Sequence, residues 1–424
     1  MNDKATKTRV LIVGGGPAGL TLAYALANRP AIYVTLAEHE PDPFTASTTT
    51  DRSYTIDITG HGVKAIKYLD AVEAFNDKLI RFRGIEIQRP IKHRIPWEGP
   101  GWTGSRGDIL RALYGDLLAK HPDRIHFLWE TIVRDIDPLA GTAKVGDTRQ
   151  SFDLIVGCDG AGSHTRRALE ALADFTVERF TLPNYCMMIR LDQNTERLDP
   201  EYLRVVNGHP FVVAGAVNGK DKNDPQWFCM VGFNHEHVFG DGDGPESEKA
   251  VEEARAYFER YTDIMQYVSG DELRAFVKRK CHHIGKAVRC STLNKGKIVL
   301  LGDAGAPFPP IGQGINAAME SAVVLDEAIG ETGGGETPEQ LRQAADAFTV
   351  KWKPEADAAT WIGLRWTFSS LGASVKAFLA ELFGVSVVSQ AKYMPYSEVY
   401  HQAKKRLGAL GKYVELKPDK NLQE

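Results

Sequence analysis

The run Gly14-Gly15-Gly16-Pro17-Ala18-Gly19 constrains this chain more than any other segment. It follows the apolar stretch Val10 to Val13 and leads into Leu20 to Asn28, whose composition predicts a helix. Glycines at 14, 16 and 19 permit a tight turn, a close approach of backbone to a pyrophosphate, and tight packing of helix on strand. The helix N-terminus then offers free amides and a positive dipole end to the phosphates. A second apolar run, Ile32 to Ala37, ends at Glu38, a carboxylate placed to accept both hydroxyls of a ribose. A glycine cluster alone is often only a turn. Strand, helix and acid together predict a dinucleotide site, without choosing between FAD and NAD(P).

Two later segments make that choice. Phe152 to Gly157 reads as a strand, and Cys158-Asp159-Gly160 after it leads to Ser163-His164-Thr165-Arg166, a helix start that a plain Ser163 cap explains equally well. Lys297 to Leu301 reads as another strand, with Gly302-Asp303-Ala304 at its end and Ile315 to Ile329 spaced as a helix. Between them, Gly312, Gln313 and Gly314 place backbone amides at a helix start, a setting that favours negative charge such as that on the N1/O2 edge of a reduced flavin. Three glycine-centred segments sharing one dinucleotide imply a bound flavin.

These motifs, in this order, resemble those of the class A flavoprotein monooxygenases of the para-hydroxybenzoate hydroxylase fold, over most of the chain. The kynurenine 3-monooxygenase branch is the most similar. The resemblance rests on Asp51-Arg52-Ser53 before Gly60-His61-Gly62, on Ser105-Arg106-Gly107-Asp108, on Val156-Gly157-Cys158-Asp159-Gly160, on Gly312-Gln313-Gly314-Ile315-Asn316, on Lys353-Pro354-Glu355, and on Pro395-Tyr396-Ser397-Glu398. It implies an α/β fold with a Rossmann-like FAD-binding lobe, a mixed β-sheet substrate lobe and C-terminal helices. It implies FAD contacts at Gly14, Gly16, Gly19, Glu38, Arg52, Arg106, Asp159, Gly160, Asp303, Gly312, Gln313 and Gly314. The middle motif, with Ser163 and Arg166, would serve both FAD and NADPH, so no second dinucleotide fold is required.

The resemblance also implies a reaction. NADPH or NADH reduces the flavin, O2 adds at C4a, and the hydroperoxide hydroxylates an aromatic or other electron-rich small molecule in a single-component enzyme. Departures from the pattern bear on the substrate. Ala306 stands where the family commonly has histidine. The arginine that holds the substrate carboxylate in kynurenine hydroxylases falls at Ile85, their tyrosine at Pro100 and their asparagine at Trp366. A neutral Ile85 forms no charge-assisted fork with a carboxylate, which points to a more apolar ring than kynurenine. Phe308, Pro310 and Trp366 are the candidate pocket residues; Trp97 and Trp102 are further aromatic candidates. His209, His282, His283 and Tyr396 are candidate bases, none singled out. A halogenase or a saturating reductase of the same fold, and a non-catalytic carrier of an apolar ligand, are the alternatives. A Trp-x-Trp-x-Ile-Pro segment, expected of the halogenase, is absent, and Arg94-Ile95-Pro96-Trp97 is no equivalent.

At 424 residues, with 43% hydrophobic and 25% charged residues, the chain can bury a large core in two or three lobes. A net charge of -4 gives no polyanion signature, and Lys404-Lys405-Arg406 reads as a solvated helix face, so no nucleic-acid partner is expected. Five scattered cysteines without metal-ligand spacing, and polar residues leading directly into the first strand, point to a reducing, cytoplasmic setting with no metal. Thr367 to Gln390 is apolar but broken by Lys376 and Glu381, so it reads as a packed helix rather than a membrane span. The oligomeric state is not written in the sequence. The flavin lobe is expected at 1–75, 103–175 and 275–345, the substrate sheet at 76–102 and 176–274, and a C-terminal helical region at 346–424. Gly333-Gly334-Gly335 reads as a flexible break ahead of that region.

Overall fold

The computed structural model describes residues 7–45, 54–89, 92–182, 184–206, 211–233, 235–237, 239–240, 247–309, 312–365, 390–407 and 419. A six-stranded sheet runs in the order Asn294–Lys295, Ile298–Leu300, Leu154–Gly157, Thr8–Val13, Ile32–Ala37 and Ile125–Leu128. Every pair is parallel except the edge hairpin formed by the first two. Parallel strands covered on both faces need apolar residues throughout; Val10, Leu11 and Ile12 are accordingly fully buried. The helix Pro17–Ala27 begins with proline, whose missing N–H costs nothing at a helix start. It is buried on every side because it lies between the sheet and the long helix Gly314–Glu331.

The second lobe is a seven-stranded sheet in the order His282–His283, Tyr185–Leu191, Pro225–Phe233, Phe211–Asn218, Tyr202–Val206, Gly84–Arg89 and His93–Pro96. One pair, Tyr202–Val206 with Gly84–Arg89, is parallel and the rest are antiparallel, which makes the sheet mixed. Alternate residues such as Met187, Ile189 and Leu191, or Trp227, Cys229 and Val231, share one face and pack on the helices Glu248–Tyr261 and Gly270–Val277. The opposite face meets the nucleotide lobe: a β-carbon on Gly215 would lie 2.7 Å from Thr55 Cγ2 and 2.5 Å from Leu203 Cδ2. A small sheet of Ile56–Ile58, Trp102–Gly104 and Ile80–Arg81 joins the two lobes.

One expectation is corrected. Gly333, Gly334 and Gly335 are not a loose break: all three have positive φ, at 105°, 82° and 77°, and form a compact turn. Thr8 Oγ1 donates to the Gly335 carbonyl at 2.6 Å, so the turn is pinned to the first strand. The helix Pro338–Arg365 runs through residue 346. Among the described residues no helix is long and apolar enough to cross a membrane; the stretch from Thr367 to Ser389 lies outside them.

Candidate active site

Three neighbouring parallel strands, ending at Val13, Gly157 and Leu300, each deliver a glycine motif at the carboxyl edge of the sheet. This edge is where ligands bind in doubly wound sheets. Steric fit makes the first motif strict. Gly14 has φ +107°, and a β-carbon there would lie 2.5 Å from the Cys158 carbonyl oxygen; one on Gly19 would lie 1.9 Å from the Gly14 carbonyl oxygen. Glu38, at the end of the next strand, is buried and accepts from Gly15 N at 2.5 Å and Glu40 N at 2.8 Å. His39 Nδ1 lies 2.6 Å from the oxygen that Glu40 N reaches, so it is the oxygen facing Gly15 that keeps a lone pair for a further donor.

Arg106 opens the helix Arg106–Lys120, which Ser105 and Asp108 fix through a capping box. Its guanidinium reaches to within 3.2 Å of the β-position of Gly16 and makes no ion pair among the described residues. Asp303 sits deep in the molecule but faces the open cleft. Burial pushes its carboxyl up to about 6, opposed by Arg106 and Arg166. Tyr54, also in this cleft, has its hydroxyl raised by burial and lowered by Arg106.

The middle motif is internally occupied. Asp159 accepts from Ser163 Oγ at 2.6 Å, Thr165 N at 3.0 Å and Thr165 Oγ1 at 3.1 Å. Ser163 caps the helix His164–Glu170 by accepting from Arg166 N. The buried Arg166 donates to the carbonyls of Ala304 at 2.7 Å and Ala161 at 2.6 Å, and burial lowers its pKa below the ordinary value. Arg166 thereby ties the second motif to the third.

In the third motif, Gly302 has φ +51° and Gly312 has φ +75°. Gln313 is fully buried as N-cap of the helix Gly314–Glu331, whose first-turn amides face the cleft. Asn316 fastens the turn by donating to the Asp57 and Gly312 carbonyls and accepting from Thr59 N. Phe308 lines a narrow crevice with Gly302, Asp303, Ala306 and Trp352. Arg52, Pro310, Trp366 and His209 lie outside the described residues. Ile85 sits in the second sheet opposite Leu203 and Ile95. Pro100 lines a separate cavity with Trp97, while Trp102 is almost wholly buried and packs on Phe75. His282 and His283 are exposed, and Tyr396 is buried.

Sequence reasoning missed a buried ion pair beside the third motif. Lys392 Nζ lies 2.8 Å from Asp57 Oδ2, and Asp57 Oδ1 is 3.6 Å from the β-position of Gly312. The signal was faint but present: an acid between two isoleucines, Ile56-Asp57-Ile58, demands a partner. A second missed cluster joins His61 Nδ1 to Glu320 at 2.5 Å and stacks the His61 ring on Tyr396 at 4.4 Å. Against burial, His61 and Lys64 hold the Glu320 carboxyl below its ordinary value.

Residues 12–79 match the family model for an NAD(P)-binding Rossmann-like domain, and residues 140–349 match that for an FAD binding domain. Kynurenine 3-monooxygenase of Salinispora arenicola is 25% identical over 350 residues, covering 76% of this chain and 72% of the relative. The enzyme of the same name from Candida albicans is 26% identical, covering 82% and 78%. Among solved structures, the tetrameric form of 2-methyl-3-hydroxypyridine-5-carboxylic acid oxygenase superposes with a TM-score of 0.65 at 17% identity, covering 93% of this chain and 96% of that one. PqsL of Pseudomonas aeruginosa in complex with 2-aminobenzoylacetate gives 0.64 at 18% identity, covering 85% and 95%.

Proposed function

Since this chain belongs to the FAD-dependent monooxygenases of the para-hydroxybenzoate hydroxylase fold, we propose that it hydroxylates an uncharged, electron-rich aromatic molecule at the expense of NADPH or NADH. The observation that carries this reading is the convergence of three motifs on the carboxyl edge of three adjacent strands. The residues present fit FAD. A backbone cradle excludes β-carbons at Gly14 and Gly19, Glu38 Oε2 keeps an acceptor site for a ribose, and Arg106 offers a cation with no ion pair among the described residues. Asp303 and the Gly312-Gln313-Gly314 turn hold the remainder, with Asp159 and Gly160 shaping the edge between them. We assign 1–75, 103–175 and 275–337 to this lobe, 76–102 and 176–274 to the substrate lobe, and the rest to the helical region. Bound FAD supplies electron transfer from the nicotinamide and activation of O2.

The protein supplies orientation and dryness. Phe308 supplies apolar lining against the ring of the substrate. The choice of an uncharged substrate is supported by the described charges around Ile85, which are already paired. Arg83 meets Glu201 at 3.1 Å, Arg94 meets Glu86 at 3.0 Å, and Arg204 meets Asp263 at 2.8 Å. Among the described side chains no arginine on this part of the sheet is left for a substrate carboxylate. The test is substrate-stimulated NADPH and NADH oxidation across phenols, anilines and hydroxypyridines, with product mass and incorporation of labelled oxygen. One oxygen atom from O2 in the product supports the reading. Protein that stays colourless with FAD, or efficient kynurenine hydroxylation, overturns the cofactor or the substrate part respectively.

A further inference from the structure

A cavity of about 620 Å³, set apart from the flavin motifs, is lined by residues that include Asn76, Arg81, Trp97, Pro100, Glu201 and Lys222. Its charges are unevenly satisfied. Glu201 is taken by Arg83, and Lys222 Nζ donates to the Asn76 carbonyl at 2.5 Å. Arg81 is exposed, and its guanidinium makes no ion pair or hydrogen bond among the described residues. Trp97 has its polar edge satisfied, since Nε1 donates to the Pro100 carbonyl at 2.9 Å. What the indole offers the cavity is therefore apolar aromatic surface, beside the rigid ring of Pro100.

We propose that this cavity is a second binding site, for a planar aromatic carboxylate whose ring lies against Trp97 and Pro100 and whose carboxylate meets Arg81. A guanidinium fork matches a carboxylate in shape as well as charge, and the nearby Lys222 adds to the positive potential. The site is distinct from the flavin cleft because the strand Ile56–Ile58 stands between them. Its Ile58 carbonyl lies 3.3 Å from the β-position of Gly101 on the cavity side, while Asp57 approaches Gly312 on the other. The two are nonetheless linked. Trp97 stacks on Tyr393 at 4.5 Å, and the adjacent Lys392 holds Asp57. Occupancy of the cavity thus bears on the turn at Gly312. The proposal needs the cavity and its free guanidinium, and stands independently of which molecule is oxygenated.

The test is calorimetric titration of the full-length flavin-loaded protein with benzoate and with its neutral analogue benzamide. Expected is saturable benzoate binding, weaker by ten-fold or more for benzamide and for Arg81→Ala, by several-fold for Lys222→Ala, and unchanged for Phe308→Ala. Arg81→Lys, which keeps the charge and loses the fork, falls between Arg81→Ala and the parent. Arg81 is exposed, so these variants keep the core intact. Absence of benzoate binding, equal affinity for benzamide, an unaffected Arg81→Ala, or loss of binding in Phe308→Ala each overturns the assignment.

Discussion

The loops that follow Val13 and Gly157 leave neighbouring parallel strands at the same edge, and both are rich in glycine, yet they work in opposite ways. In the first, β-carbons are sterically barred at Gly14 and Gly19, so the loop presents backbone there. In the second, Asp159, Ser163, Thr165 and Arg166 are all engaged with one another or with the loop at Ala304. One loop is a backbone surface; its neighbour is a brace tied to the Asp303 loop. Likeness of sequence pattern and of place in the fold does not guarantee likeness of task.

The sharpest test of this contrast is Gly14→Ala. A β-carbon forced against the Cys158 carbonyl, at a φ that alanine avoids, is expected to destabilise the fold by about 3 kcal/mol or more and to yield protein without flavin. Denaturant unfolding and the flavin-to-protein absorbance ratio read both effects. Next comes Arg166→Met, which removes a buried donor to the carbonyls of Ala161 in the second loop and Ala304 in the Asp303 loop and is expected to cost about 2–3 kcal/mol while weakening FAD retention. Arg166→Lys should restore less than half, because an ammonium does not span both carbonyls. Full FAD affinity in Arg166→Met would contradict the bracing role.

A smaller effect comes from Asp303, whose carboxyl is raised to about 6 by burial before a cofactor binds. The folded state then favours the protonated form, so this contribution to stability is complete below about pH 4 and disappears as pH rises through about 6. Asp303→Asn should therefore stabilise the cofactor-free protein above pH 6 and leave it unchanged below pH 4. Solvent reaches the carboxylate through the cleft, so the gain is about 1 kcal/mol rather than the full value of the shift. Thermal melts at pH 4 and pH 8 decide it. Least of all, Gly162→Ala should lie within about 0.5 kcal/mol of the parent in denaturant unfolding, since open space surrounds its β-position. A large loss there would erase the difference between the two loops.

Much of this architecture is legible in the chain itself. The strand Ile32–Ala37 has the bounds that its apolar run predicts, because buried strands leave a dense local signature. The turn at Gly333 was read too loosely because its anchor, Thr8, lies far away in sequence. Asp159 shows the converse: its partners are only four and six residues ahead, so a capping role was open to reading, but the family pattern drew attention to ligand binding instead. The pairs His61 with Glu320 and Asp57 with Lys392 have no local periodicity at all, and only the assembled fold brings them together.

The bond between Asp57 and Lys392 has a consequence for how the enzyme is made. The wall behind Gly312 requires two residues 335 positions apart, so a ribosome must deliver everything between them before that wall can close. During synthesis the glycine cradle emerges early and waits, with an unneutralised carboxylate behind it, for a lysine that arrives late. Nascent chains halted short of residue 392 should therefore mature poorly however complete their first sheet.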